Sequence, residues 1–330
     1  MTPFTFRRAQ SPEHAVASMT TDGRFLAGGT TLVDLMKLEV ETPGQLVDLG
    51  ALQRGPLGAI EPTDSGGLRI GAMVKNSTLA RDPRIVRDYP VLSEALLSGA
   101  SPQLRNMATV GGNVLQRTRC PYFRDVALPC NKRSPGSGCG AVEGYNRHHA
   151  ILGTSSDCIA THASDMCVAL VALDAVVHLE GPAGARTVPF ADFHLEPGDT
   201  PHLENVLGPS ELIVAVELPA LDWARRSHYL KVRDRASYEF ALTSAAVALQ
   251  LDASGVVRNA RIALGGVGTK PWRAHRAEAA LVGQRAGRAA YEAAARIELA
   301  GAVAREHNAF KIELAVATVV RALEELETSS

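Results

Sequence analysis

The cysteines constrain this chain more than any other feature, because all five lie between Cys120 and Cys167 and none lies elsewhere. An odd number gathered in one stretch fits a metal or cluster site better than a disulfide framework. The first four are Cys120, Cys130, Cys139 and Cys158, separated by nine, eight and eighteen residues. These spacings lack the close cysteine pairs of zinc ribbons and the tight run of bacterial ferredoxins. Four thiolates from one irregular loop can still hold a [4Fe–4S] cluster or a zinc ion, so both ligands remain open.

The surroundings of the cysteines separate the first four from the fifth. Residues 129–139 read Pro-Cys-Asn-Lys-Arg-Ser-Pro-Gly-Ser-Gly-Cys, which is turn chemistry with little periodicity. A loop this long inside a compact domain needs a reason, and a bound cluster would be one. Four buried structural cysteines are the alternative, although a loop rich in Pro, Gly and Asn is a poor place to bury thiols. Cys167 lies in the apolar pattern Met-Cys-Val-Ala-Leu, which predicts a buried core residue.

Length and composition set the class of protein. At 330 residues the chain is too long for one ordinary core, which predicts two or three domains. Its 46% hydrophobic and 21% charged residues are typical of globular proteins. A formal net charge of −1 and an aromatic content of 5% argue against nucleic acid as a partner. No apolar run is long enough to span a bilayer, and no apolar core or cleavage site follows Arg7 and Arg8, so no signal peptide is predicted.

The order of predicted elements divides the chain into an α/β part and an α+β part. Short strands alternate with helices up to about Pro219, and Ser11 and Pro12 form the start of the first helix. Three antiparallel strands then precede Ala-rich helices, expected at residues 276–281, 287–307 and 311–326. We expect an α/β subdomain over residues 1–55, a second over 56–219 with the cysteine segment at about 118–158, and an α+β domain over 223–328.

Two Gly-Gly turns with flanking hydroxyl groups are candidate ligand sites. The first comprises residues 27–32, Ala-Gly-Gly-Thr-Thr-Leu, between a predicted strand and a predicted helix. Backbone N–H groups at such a position can reach a phosphate. The second comprises residues 109–113, Thr-Val-Gly-Gly-Asn. Neither matches the dinucleotide or Walker fingerprint, so a pair of unrelated tight turns is the alternative to a pyrophosphate site.

The histidines and Lys231 give weaker signals. His148 and His149 lie in the cysteine segment, either as ligands or as surface residues, and His162 lies in a Thr-His-Ala-Ser-Asp turn near the expected ligand. No G-x-S-x-G or H-E-x-x-H motif is present. Lys231 opens the charge run Lys-Val-Arg-Asp-Arg, for which the local pattern favours a solvated strand edge over contact with an anionic ring or phosphate.

Residues 27–32, 103–113 and 164–165 and the Lys-Val-Arg run at Lys231 resemble, in order and spacing, the FAD-binding subunit of molybdenum hydroxylases. The resemblance covers nearly the whole chain. It implies an α+β protein with an FAD-binding domain of the p-cresol methylhydroxylase type, built from two α/β subdomains, and a C-terminal α+β domain of the CO dehydrogenase flavoprotein type. The four-cysteine loop is its most specific part and looks most like that of the flavin subunit of bacterial periplasmic aldehyde oxidoreductases.

The resemblance implies a role for each matching residue. The two turns would bind the FAD pyrophosphate through Ala27, Gly28, Gly29, Thr30, Thr31, Leu32, Thr109, Gly112 and Asn113. Ser164 and Asp165 would bind the ribityl or adenosine side with His162 nearby, and Lys231 would approach the flavin ring. The [4Fe–4S] ligands would be Cys120, Cys130, Cys139 and Cys158, whereas Cys167 matches no ligand position.

The implied function is electron transfer, with no substrate-oxidising residue in this chain. A large subunit with the molybdenum cofactor would oxidise an aldehyde, and a small subunit with [2Fe–2S] clusters would pass electrons to FAD here, from which an external acceptor is reduced. The heterotrimer would reach the periplasm with a signal-bearing partner, or stay cytoplasmic if the partner lacks such a signal. The alternatives are a flavin subunit of the 4-hydroxybenzoyl-CoA reductase kind and a structural zinc protein with four cysteine ligands.

Overall fold

The computed structural model describes residues 1–328, which form three sheets and the helices packed on them. The first sheet has parallel strands β1 (Thr5–Arg8), β2 (Gly23–Leu26) and β3 (Gln45–Asp48) in the order β1-β3-β2. Helices α1 (Pro12–Ser18) and α2 (Leu32–Lys37) connect consecutive strands. The predicted start of α1 is confirmed, because Ser11 Oγ accepts from the His14 N–H and Pro12 occupies the first turn. This part is therefore a small βαβαβ unit.

The second sheet is antiparallel throughout and has the order β4-β5-β8-β6-β7. Its strands are β4 (Ile60–Pro62), β5 (Leu68–Gly71), β6 (Val176–Gly181), β7 (Gly184–Pro189) and β8 (Leu212–Leu218). The helices between them are α3 (Asn76–Leu79), α4 (Pro83–Asp88), α5 (Pro90–Ser98), α6 (Pro102–Met107), α7 (Val110–Val114), α8 (Pro121–Arg124), α9 (Asp165–Ala172) and α10 (Phe190–Phe193). Turns of 3₁₀ helix lie at Gly50–Arg54, Pro56–Gly58 and Asp222–Arg225.

The third sheet is antiparallel, as the sequence predicted for this region, with the order β12-β11-β10-β9. Its strands are β9 (Ser227–Val232), β10 (Thr243–Leu251), β11 (Val257–Gly265) and β12 (Trp272–Arg273), and its helices are α11 (His275–Leu281), α12 (Arg288–Leu299) and α13 (Phe310–Thr328). Helix α13 packs on β10 and β9. No helix within residues 1–328 is both long and apolar enough to cross a membrane.

Helix α9 links the second and third sheets. Every residue from Met166 to Ala172 is buried, which fits a helix that is apolar on all sides. It contacts α5 on one side and β10, β11 and β12 on another. Its N-cap Ser164 therefore lies at the junction of two domains, which is a common place for a ligand site.

Two expectations about helices are wrong. Residues 109–113 were expected as a Gly-Gly turn, but Val110–Val114 form the short helix α7, because Thr109 Oγ1 accepts from the Gly112 N–H and caps it. The helix before it, α6, is capped in the same way, with Ser101 Oγ accepting from the Leu104 N–H. The helix expected at residues 287–307 ends at Leu299. Beyond the helix, the Val303 N–H donates to the Ile151 carbonyl at 2.7 Å. The chain at Val303 is therefore hydrogen-bonded to the cysteine segment and does not continue the helix.

Candidate functional site

The first Gly-Gly turn connects β2 to α2, and both of its glycines are required by the backbone. A Cβ on Gly28 would lie 2.1 Å from the Met107 carbonyl oxygen, so only glycine allows this close approach of the two chains. Gly29 has φ +71°, a conformation that favours glycine. The turn is thereby packed directly against the end of α6, next to the second Gly-Gly turn.

The second turn begins α7 and is joined to the N-terminus of α9. Thr109 is buried and its Oγ1 accepts from the Gly112 N–H at 3.2 Å. Asn113 Oδ1 accepts from Ser164 Oγ at 2.7 Å, and Ser164 Oγ in turn accepts from the Cys167 N–H. Residues that are 51 positions apart in the chain are therefore held in one hydrogen-bonded group.

Two neighbouring cavities lie beside these turns, with volumes of about 510 and 210 Å³. The walls of the larger cavity include Thr30, Thr31, Gly112, Asn113, Asp165 and Lys231. The smaller cavity is lined by His162, Ser164 and Asp165, so Asp165 faces both. The structure thus brings eight of the sequence-predicted ligand residues to one cleft. The other five belong to the same two turns but line neither cavity: Ala27, Gly28, Gly29, Leu32 and Thr109.

Asp165 and Lys231 form a buried ion pair in this cleft. Lys231 Nζ lies 2.8 Å from Asp165 Oδ2, and the exposed fractions of the two side chains are 3% and 11%. Lys231 Nζ also donates to the Ser98 carbonyl at 3.3 Å, and the Tyr229 hydroxyl donates to Asp165 Oδ1 at 2.7 Å. Burial, reinforced by the charge of Asp165, raises the pKa of Tyr229 well above its usual range, which keeps this phenol protonated.

The solvated strand edge predicted from the local pattern at Lys231 is wrong. Strand β9 does lie at the edge of its sheet, but helix α5 packs over it and supplies the Ser98 carbonyl. The residues that bury Lys231 come from positions 66 and 133 residues away, so the charge run alone carries no sign of them.

The cleft also contains charged and aromatic residues that the sequence did not single out. Asp34 lies 2.8 Å from Arg124 and 3.0 Å from Arg119, and its hydrogen bond to Arg124 lowers the pKa of the Asp34 carboxyl. The Arg119 guanidinium lies 5.5 Å from the centre of the Phe240 ring, which also faces the larger cavity. Arg119 and Arg124 lie 85 and 90 residues from Asp34 in the chain, so no local sequence pattern indicates these ion pairs.

The four ligand-candidate cysteines line one small cavity. Cys120, Cys130 and Cys158 are buried and Cys139 is half-buried, and the backbones of Cys130 and Cys139 form an isolated β-bridge. None of these cysteines is disulfide-bonded within residues 1–328. Cys167 is separate from them: it is fully buried in α9, and its predicted core position is confirmed.

The cysteine pocket has the donor set of a metal centre, four thiol side chains, in surroundings that disfavour their ionisation. Burial raises the pKa of the Cys120 thiol to about 12, and the neighbouring Cys130 and Cys158 add repulsion. Burial also raises the pKa of Cys158, against the opposing charge of Lys132. Four cysteine side chains that converge on one cavity are the donor set of a [4Fe–4S] cluster, so the residues present fit that group once its iron offsets the charge of the thiolates. Among the described residues, the group compact enough for a single ion is His162, Cys167 and His194, not these four cysteines.

The histidines divide into surface and buried positions. His148 is exposed, although it borders the smaller cavity. His149 is buried, and its Nε2 lies 3.1 Å from Cys120 Sγ. His162 lines the smaller cavity, where its Nδ1 accepts from the Ser164 N–H at 3.3 Å. Of the two histidines in the cysteine segment, only His149 touches the cysteines, a distinction that the sequence left open.

Comparison with protein families identifies the family of this chain and its cofactor. A model of the FAD-binding domain in molybdopterin dehydrogenase matches residues 2–221, and a model of the CO dehydrogenase flavoprotein C-terminal domain matches residues 228–326. The chain belongs to the FAD-binding subunits of the molybdenum hydroxylases. It is therefore a subunit of an oxidoreductase, and the α+β architecture expected of this flavoprotein subunit is confirmed.

Relatives of this flavoprotein subunit agree with the family match. It is 52% identical over 328 residues, 98% of each chain, to the aldehyde oxidoreductase FAD-binding subunit PaoB of Escherichia coli. It is 27% identical to the glyceraldehyde dehydrogenase medium chain of Sulfolobus acidocaldarius over 86% of this chain and 82% of that one. A solved carbon monoxide dehydrogenase from Hydrogenophaga pseudoflava matches with a TM-score of 0.76 and 28% identity, covering 99% of this chain and 98% of the other.

Proposed function

We propose that this flavoprotein subunit passes electrons within a heterotrimeric, molybdenum-dependent aldehyde oxidoreductase. Support comes from 52% identity over 98% of its length to a protein named as an aldehyde oxidoreductase FAD-binding subunit. The proposed partners are a large subunit with the molybdenum cofactor, which oxidises the aldehyde, and a small subunit with [2Fe–2S] clusters. An external acceptor takes the electrons from this subunit. The proposed location is the periplasm, reached together with a signal-bearing partner; without such a signal the complex stays cytoplasmic.

The residues of the cleft would bind and orient FAD, which when bound supplies the capacity to take up electrons and release them to an acceptor. The first Gly-Gly turn would offer the hydroxyls of Thr30 and Thr31 to a pyrophosphate. The second turn lines the same cavity through Gly112 and Asn113, whose own N–H groups donate to Thr109. Asp165 holds the Lys231 ammonium in the wall of the larger cavity, where a cation suits an electron-rich ring or a phosphate.

The second part of the proposal is a [4Fe–4S] cluster held by Cys120, Cys130, Cys139 and Cys158. It rests on the convergence of these four side chains on one cavity, although they are spread over 39 residues of irregular chain. This cavity adjoins the smaller part of the cleft, because Cys120 lines both. The alternative is a zinc ion bound by the same four thiolates, which metal analysis must exclude.

The flavin assignment is tested by coexpressing the chain with its partner subunits and recording the visible spectrum of the purified complex. A protein-bound flavin band that is bleached anaerobically by aldehydes is expected. Absence of flavin, or bleaching by aromatic thioesters but not by aldehydes, would contradict the proposal. The second outcome would favour the 4-hydroxybenzoyl-CoA reductase kind of subunit.

The cluster assignment is tested separately by iron and sulfide analysis of two cysteine variants. Cys130→Ser should lose the iron of this subunit, whereas the matched control Cys167→Ser, in the core of α9, should keep it. Full iron content in Cys130→Ser would rule the cluster out. Zinc in this subunit in place of iron would show that the four cysteines form a structural zinc site.

A further inference from the structure

The cysteine pocket has one buried side-chain neighbour that can act on a ligand sulfur directly. His149 Nε2 lies 3.1 Å from Cys120 Sγ, and both side chains are buried. The other ring nitrogen, Nδ1, is buried without a hydrogen-bond partner in the described part of the chain. The contact with sulfur is thus the main polar interaction of this imidazole.

Cluster ligation fixes the direction of this hydrogen bond. A cysteine that ligates iron is a thiolate, which can only accept, so His149 Nε2 must carry the proton and donate it. Nδ1 is then the unprotonated ring nitrogen, which acts only as an acceptor.

The backbone of His149 is held in this position by residues of the C-terminal domain. The His149 carbonyl accepts from Lys311 Nζ at 3.0 Å and from Asn308 Nδ2 at 3.4 Å. Lys311 Nζ also donates to the Gly266 carbonyl at 2.7 Å, and Lys311 is fully buried at the start of α13. On the other side, the His149 N–H donates to the Asn146 carbonyl at 2.9 Å. The backbone of His149 is therefore fixed between two domains while its ring faces the sulfur.

We propose that His149 is a positioning residue that tunes the reduction potential of the [4Fe–4S] cluster through the Cys120 sulfur; this inference rests on the cluster proposed above. A donated N–H stabilises negative charge on the thiolate, and it does so more strongly once the cluster has gained one electron. The hydrogen bond therefore makes the one-electron reduction easier. Among residues 1–328, Cys120 is the ligand candidate whose sulfur meets a side-chain N–H, whereas Cys158 Sγ meets the backbone N–H of Ala160 at 3.5 Å.

The test is a potentiometric titration of the purified, coexpressed complex, with dithionite as the one-electron donor and the cluster signal followed by electron paramagnetic resonance. His149→Leu should move the cluster couple to more negative potential with iron and flavin contents unchanged. His149→Gln can place an amide N–H near the former Nε2 and should restore much of the shift. His148→Leu, the exposed neighbour, should leave the potential unchanged.

An unchanged cluster potential in a fully loaded His149→Leu complex would overturn the proposal, because packing alone would then explain the contact. If the His149→Leu variant loses its cluster, the hydrogen bond is tested in the wild-type complex instead. Labelling with [15N]histidine should give a weak nitrogen coupling to the reduced cluster in pulsed resonance spectra, and absence of that coupling would overturn the proposal. A wild-type complex without iron in this subunit would instead refute the cluster itself, so the two failures are distinguishable.

Discussion

Replacing Asp165 by asparagine should destabilise the protein, because it leaves the Lys231 ammonium without its charged partner. The Lys231 side chain is only 3% exposed, so little water can solvate its ammonium in place of the carboxylate. Its remaining neighbours are the Ser98 carbonyl at 3.3 Å and the new amide oxygen. Removing one member of a buried ion pair costs about 3–5 kcal/mol, and because asparagine keeps one acceptor we expect about 3 kcal/mol.

The assay is urea unfolding at neutral pH, comparing the wild type with Asp165→Asn and the double variant Asp165→Asn/Lys231→Met. The double variant should regain much of the lost stability, since it no longer buries an unpaired charge. Glu292→Gln is the matched surface control: its partner Arg296 is 50% exposed and Glu292 is 44% exposed, so the cost should stay within about 1 kcal/mol. A loss below about 1 kcal/mol for Asp165→Asn, or a double variant no more stable than the single one, would refute the reasoning.

Three further predictions concern other parts of the molecule. Gly28→Ala should reduce the flavin content of the purified complex, because its Cβ would meet the Met107 carbonyl at 2.1 Å, whereas Gly301→Ala, with open space around it, should not; equal flavin contents would contradict this. Cys167→Ala should leave the iron content unchanged, and loss of iron on analysis would count against its separation from the cysteine pocket. Burial lowers the pKa of Lys311 from 10.5 to about 7, so the unfolded chain binds more protons and stability should rise with pH between these values. Between pH 6 and pH 9 the unfolding free energy of the wild type, measured in urea, should rise by about 2.5 kcal/mol relative to that of Lys311→Met. The same pH dependence of the unfolding free energy in both proteins would contradict a lowered pKa of Lys311.

The sequence was most informative where structure depends on near neighbours. The N-cap at Ser11 and the buried pattern of α9 both follow from residues within one or two helical turns. The Gly-Gly turn at Gly28 was recognised as a turn, but the reason for the glycine is the Met107 carbonyl, which is 79 residues away in the chain. A local pattern can therefore show that a position is special without showing what it faces.

Side-chain partners in the cleft depended on the tertiary fold and could not be read locally. Lys231 has the local signature of an exposed strand residue, yet α5 and Asp165 bury it. His148 and His149 are neighbours in sequence, but His148 is exposed and His149 is buried. The contact that accompanies this burial, from Lys311 Nζ to the His149 carbonyl, comes from the C-terminal domain. The family resemblance did predict a ligand role for Lys231, and the structure places this residue in the wall of the larger cavity.

The most direct test of electron transfer through this subunit is an anaerobic spectrum of the complete coexpressed complex before and after addition of an aldehyde, without any external acceptor. The account predicts a flavin band that is bleached by the aldehyde and returns when an electron acceptor is admitted. A complex that oxidises aldehydes while its flavin stays oxidised, or one that carries no flavin, would contradict it.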